Sequence, residues 1–206
     1  MDFNGFDQPA FPQRADALNQ GSRSVKVMVA GGFGTGKTTM VGSVSDIVPL
    51  TTEETLTQAS AGVDDLVGVA DKKSTTVSLD FGRISLNEQL VLYLFGTPGQ
   101  ERFWFLWNGL FKGALGAVVL VDTRRLQSSF RAIEEMERLE VPFVIAVNVF
   151  PDARRHPAEE VREALAVTPA TPIVDCDARD RVSSRDVLIT LIRHVKERSA
   201  AVLESR

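Results

Sequence analysis

Apolar residues fall in three short, β-branched runs, at residues 25–30, 117–122 and 143–148. Each is apolar on both faces, which predicts strands buried in a parallel sheet. Residues 173–176 form a shorter run of the same kind. Residues 76–81 alternate polar and apolar, so a half-exposed strand is expected there. A further strand at 90–95 would pair with it as an antiparallel hairpin, with residues 82–88 as the connection. Helical spacing follows the first run as far as about Val48, where Pro49 closes it. It returns at 128–139, with Ala132, Ile133, Met136 and Leu139 inward. Pro157 suits the first helical position, and Val161, Leu165 and Ala164 mark that helix's stripe. Ser183 or Ser184 would cap the last helix, whose inner side is Val187, Leu188, Leu191, Ile192 and Val195. Residues 50–74 are polar and read as largely irregular, with a helical turn near 53–59. The order of elements predicts an α/β fold, a doubly wound, mostly parallel six-stranded sheet with helices on both faces. Ligand would bind at the carboxyl ends of the parallel strands.

Two regions lie outside this pattern. Residues 1–23 are rich in Asn, Gln, Gly, Pro and Asp and are expected to be a flexible tail before a single domain at 24–206. Phe3, Phe6 and Phe11 show no periodicity there. In the aromatic block 103–107, Phe103 and Trp107 share a helical face with Leu110 and Phe111 and would pack on the sheet. Trp104 and Phe105 lie on other faces, leaving packing and a partner surface both open.

Composition narrows the function classes. The 206 residues are 44% hydrophobic and 24% charged, with net charge −4 and pI about 5.3. These values suit a globular protein and lack the concentrated basic face that nucleic acid requires. Apolar runs are too short for a membrane span, and neither end carries a secretory or lipidation signal. A cytoplasmic protein without its own membrane anchor is therefore expected. The single cysteine, Cys176, excludes an internal disulfide and reads most simply as a small packed residue.

The chemistry is concentrated in residues 31–38, Gly-Gly-Phe-Gly-Thr-Gly-Lys-Thr, which match G-x-x-x-x-G-K-[ST] between a strand and a helix. Glycines around Phe33 and Thr35 let successive N–H groups turn inward as an anion nest, and the helix N-terminus adds partial positive charge. Lys37 supplies a point charge for the β- and γ-phosphates, and Thr38 a hydroxyl for Mg²⁺. Gly32, Phe33, Gly34, Thr35, Gly36, Lys37, Thr38 and Thr39 are thus the candidate phosphate-binding residues.

With four further segments in order, the chain resembles a Ras-like small GTPase. These are Thr76 at a strand, Thr97-Pro98-Gly99-Gln100-Glu101, Asn148, and Cys176-Asp177-Ala178-Arg179. Within that class it looks like the conservon GTPases of actinobacteria and, more distantly, the gliding-motility polarity GTPase. The resemblance implies a P-loop fold holding GTP or GDP with Mg²⁺. Thr76, with Thr75 as register alternative, would complete the metal shell beside Thr38. The Gly99 N–H would contact the γ-phosphate, and Gln100 would orient the attacking water. Asn148, Ala178 and neighbouring Cys176 and Arg179 would surround the base. It also implies a roadblock-type regulatory protein and a membrane sensor kinase complex as partners, which would bring the chain to the inner membrane surface.

Four departures accompany the match. Gly96 stands where such proteins place a Mg²⁺-water aspartate, which suggests weaker metal retention. Phe33 replaces a small loop residue and would crowd the γ-phosphate side. Asn-Lys-x-Asp becomes Asn148-Val149-Phe150-Pro151, with Asp152 one residue late, so guanine selectivity is open. No arginine directly precedes Thr76. Three readings follow: a slow GTPase switch working through loops 49–76 and 96–111, a non-hydrolysing nucleotide-binding scaffold, and, more weakly, a small ATP-using kinase.

Overall fold

The computed structural model describes residues 23–57, 74–100, 103 and 106–204. The expected tail, Trp104 and Phe105 lie outside the described residues. Seven strands form one sheet: β1 (Arg23–Ala30), β2 (Leu50–Thr57), β3 (Ser74–Asn87), β4 (Leu90–Gly96), β5 (Gly116–Val121), β6 (Phe143–Asn148) and β7 (Ile173–Cys176). Their spatial order is β2-β3-β4-β1-β5-β6-β7. β2–β3 and β3–β4 are antiparallel, and every other pairing is parallel. The helices are α1 (Lys37–Val44), α2 (Trp107–Phe111), α3 (Gln127–Arg138), α4 (Ala158–Leu165) and α5 (Arg181–Glu204).

The apolar runs are buried on both faces because alternate side chains feed two separate cores. Val27, Val29, Val118, Leu120, Val144 and Ala146 point into the layer beneath α1 and α5. Met28, Ala30, Ala117, Val119, Val121, Phe143 and Ile145 point into the opposite layer with residues of α2, α3 and α4. Phe103, Trp107 and Phe111 are buried, so the aromatic face predicted to pack does so.

The sheet has seven strands where six are expected. The extra one, β2, occupies part of the stretch read as irregular and pairs residue for residue with β3 from Leu50↔Phe81 to Thr57↔Ser74. Its sequence, LTTEETLT, is polar because it is an edge strand, and such strands carry no buried-face alternation to read. β3 also runs through the expected connection to Asn87. Gly82 is not a turn residue there: a Cβ on it would lie 2.8 Å from Val41 Cγ1 in α1. The glycine lets the helix seat on the strand. Gly82→Ala should overpack this contact, costing about 1–3 kcal/mol and lowering the melting midpoint by about 5 °C in a calorimetric scan.

Helix ends differ in smaller ways. α1 stops at Val44, not near Val48, because Ser45 is extended and its hydroxyl bonds to Ile47 and Arg83 backbone groups. Pro157 is the N-cap of α4, not its first helical residue, and Ala164 faces solvent. The last helix starts earlier than expected, at Arg181, and Asp180 accepts from the Ser183 N–H at 2.6 Å. Ile192 is exposed, outside the stripe that buries Leu188 and Leu191.

Candidate functional site

The carboxyl ends of β1, β4, β5, β6 and β7 meet at the loop between β1 and α1. A cavity of about 340 Å³ opens there, lined by Phe33, Gly34, Gly36, Lys37, Thr38, Thr39, Asp80, Thr97, Pro98, Gly99, Gln100 and Phe103. The loop takes its shape from its own contacts. Thr35 is fully buried and donates its hydroxyl to Gly32 O at 3.0 Å. Gly36 sits at φ 102°, where a side chain is strained, and a Cβ would strike Asn148 Nδ2 at 2.5 Å. Lys37 is buried and donates to Gly31 O at 3.1 Å and Gly32 O at 2.7 Å. Burial pushes its ammonium down to about 8, while the charge of Asp80 pulls the other way.

Asp80 is the residue that sequence reasoning missed. It lies on β3 directly opposite Gly96 of β4. It is buried, accepts from Thr38 Oγ1 at 2.6 Å and from Thr51 Oγ1 at 3.3 Å, and has no ion-pair partner among the described residues. A Cβ at Gly96 would lie 3.0 Å from Asp80 Oδ2, so the glycine makes room for this carboxylate. A carboxylate from the neighbouring strand thus stands beside the β4 position where the resemblance would place an acid. Thr97 Oγ1, buried and lining the same cavity, has no hydrogen-bond partner among the described residues. A buried carboxylate outside any direct ion pair among the described residues, the Thr38 hydroxyl and the Thr97 hydroxyl fit a hard, oxygen-seeking cation such as Mg²⁺. Asp80 keeps the polar phase of an alternating strand and so reads as a solvent-facing position; its burial is legible only once strand register is known.

On the far side of the loop Asn148, at the end of β6, is buried and joins two elements. Its Nδ2 donates to Thr35 O at 2.9 Å, and its Oδ1 accepts from the Ala178 N–H at 3.1 Å. β7 fixes the register: Asn148 pairs with Cys176, whose thiol is buried and raised in pKa by that burial. Arg179 is exposed, and its guanidinium is held by Asp177 at 2.8 and 2.9 Å. Asp152 is exposed and lies outside the Asn148 network. Phe150 instead carries the Arg124 guanidinium over its ring at 3.9 Å.

Three more predicted residues stand at the mouth. Phe33 is 67% exposed beside the cavity. Gly99 packs so closely on the loop that a Cβ would lie 2.6 Å from Lys37 Nζ. Gln100 is exposed on the cavity rim. Thr76, on β3, pairs with Thr55 of β2 and lies four residues or about 13 Å along its strand from Asp80. Its side chain and that of Thr75 lie outside the described residues.

The chain is similar to several known proteins. The archaeal protein MJ1339 of Methanocaldococcus jannaschii, itself uncharacterized, is 27% identical over 60% of this chain and 69% of its own length. The Ras-related protein SEC4 of Saccharomyces cerevisiae is 24% identical over 60% of this chain and 62% of its own length. The Ras-related protein Rab-8A of Rattus norvegicus is 26% identical, with 65% of each chain matched. The chain thus spans less than two thirds of either Ras-related protein. Among solved structures, the FeoB G-domain from Methanococcus jannaschii superposes with TM-score 0.56 at 13% identity, covering 84% of this chain and 99% of that one. The G domain of the T. maritima FeoB iron transporter gives 0.54 at 17%, covering 85% and 98%. The fold is that of a P-loop GTPase-like α/β domain, and the relationship to small GTPases holds at low identity. A family model described as a conserved hypothetical ATP binding protein matches residues 29–198, and the chain belongs to that family.

Proposed function

We propose that the protein is a guanine-nucleotide switch that binds GTP and GDP with Mg²⁺ and hydrolyses GTP slowly. The observation that carries this reading is the Thr38–Asp80 contact at the mouth of the phosphate loop, 2.6 Å long, on a carboxylate with no ion-pair partner among the described residues. Bound Mg²⁺ supplies charge neutralisation for the phosphates, and Thr38 and Asp80 are the residues that would hold it. Lys37 would meet the β- and γ-phosphates with its ammonium. Gly99 lies against Lys37, so the segment that would sense a γ-phosphate already touches the loop. Gln100, on the rim, would orient the attacking water. Loops 49–76 and 96–111 would change arrangement with the length of the phosphate tail. Conservon-type membership, a roadblock-type regulator and a membrane sensor kinase complex belong to the same reading and rest on the motif resemblance.

Base identity is the competing point. The family description names ATP, and Pro151 removes the carboxylate that would read guanine. Nucleotide released from the purified protein and separated by chromatography should be GDP or GTP, and calorimetry should give tighter binding of GDP than ADP. Adenine nucleotides in either assay would replace the guanine reading with an ATP-binding one. Single-turnover hydrolysis should run at about 10⁻⁴ s⁻¹ and fall at least tenfold in Gln100→Leu. Equal rates in the two proteins would remove Gln100 from the mechanism, and no turnover in either would favour a non-hydrolysing scaffold.

A further inference from the structure

Asp122 follows β5 at the carboxyl edge of the sheet and is fully buried. It caps a 3-10 turn, Thr123–Arg125, by accepting from the Arg124 N–H at 3.0 Å. Its carboxylate also takes two nitrogens of Arg124, both at 2.9 Å, and two of Arg125, at 3.4 and 3.2 Å. One carboxylate thus organises two guanidinium groups, and one unit of positive charge remains over.

The two arginines then diverge. Arg124 lies on the Phe150 ring. Arg125 reaches the phosphate loop, where its Nη2 donates to Phe33 O at 3.3 Å. A Cβ on Gly34 would lie 3.3 Å from the same nitrogen. The turn cannot drift away from the loop, because α3 begins against it: a Cβ on Gly32 would lie 2.5 Å from Ser128 Cβ. Lys37 spends its ammonium on Gly31 and Gly32, the other half of the loop. Arg125 Nη1 has no hydrogen-bond partner among the described residues, and its side chain is 53% exposed.

We propose that Arg125 is a second cation of the polyphosphate site, fixed by Asp122 and offering its unspent Nη1 amino group to the phosphates of a bound nucleotide. The inference rests on the nucleotide-binding reading above and extends it: the chain carries its own guanidinium at the loop rim. A planar guanidinium matches phosphate oxygens in pairs, and a carboxylate behind it removes the entropic cost of aiming it. A triphosphate carries more charge than a diphosphate, so the group favours GTP over GDP.

A structural brace for Phe33 would need only a donor at that carbonyl, which separates the two roles. In the full-length protein, Arg125→Gln keeps an N–H donor and loses the charge, whereas Arg125→Lys keeps the charge. With fluorescent GTP and GDP analogues and Mg²⁺, Arg125→Gln should weaken GTP binding about tenfold and GDP binding less. Arg125→Lys should recover part of the difference. Guanidinium ion at millimolar concentration should restore single-turnover hydrolysis to Arg125→Ala. Equal losses for both nucleotides, or no loss, with no response to guanidinium, would overturn the proposal. If the parent binds neither nucleotide, the nucleotide reading falls and takes this one with it. If the parent binds both, Lys37→Ala binds neither and Arg125→Gln matches the parent, this inference alone is wrong.

Discussion

Replacing Asp80 by Asn will remove most of the Mg²⁺ dependence of nucleotide binding and leave the fold in place. The substitution is nearly isosteric. Thr38 and Thr51 donate to different oxygens of the carboxylate, at 2.6 and 3.3 Å; in the amide the oxygen keeps one of these hydroxyls and the nitrogen donates to the other, which turns round to accept. Only the charge is lost, and with it the attraction for a divalent cation in a buried setting. A charge-assisted interaction of this kind contributes about 1.5–3 kcal/mol, or about a tenfold to hundredfold change in affinity. Titrations of a fluorescent nucleotide with Mg²⁺ and with chelator should show a large ratio in the parent and a ratio near one in the variant, with similar thermal melts. A parent protein indifferent to chelator would contradict the assignment of Asp80. Putting the acid back at position 96 would not substitute for it. A Cβ there would lie 3.0 Å from Asp80 Oδ2, so a carboxylate on it would crowd Asp80, and two adjacent carboxylates resist ionising together.

Asp80 also shows where a one-dimensional reading stops. The phosphate loop was legible because its function is local: backbone amides, one ammonium and one hydroxyl within eight consecutive residues. The central parallel strands were legible because both their faces are buried, so residues 27–30, 117–121 and 143–147 are all apolar. The carboxylate of Asp80 was not, because its place depends on β3 standing beside β4 with Asp80 opposite Gly96. Read along the chain, Gly96 is a missing acid. Read across the sheet, it is the space that Asp80 occupies. β2 was lost for a related reason, since an edge strand of Thr and Glu has no buried face to impose alternation. Arg125 is a third case: a charged residue in a short turn reads as a solvated surface until its partners, Asp122 and the Phe33 carbonyl, are known.

Asn148→Ala should destabilise the whole protein as well as empty the site. Asn148 spans the buried gap between the phosphate loop and the turn before α5, bonding Thr35 O on one side and Ala178 N on the other. Thr35 is 0% and Ala178 1% exposed, so water does not replace the amide. Each orphaned backbone group costs about 1–3 kcal/mol, and two of them should lower the melting midpoint by about 10 °C in a domain of this size. Asn148→Asp separates the two contacts. It keeps an acceptor for Ala178 but sets a carboxylate oxygen against the Thr35 carbonyl, so the loop side fails alone. If Asn148 did nothing but read the base, both variants would weaken guanine nucleotides selectively and leave the melt unchanged. Because it braces the loop, both should instead weaken GDP and ADP alike, with the midpoint falling in step.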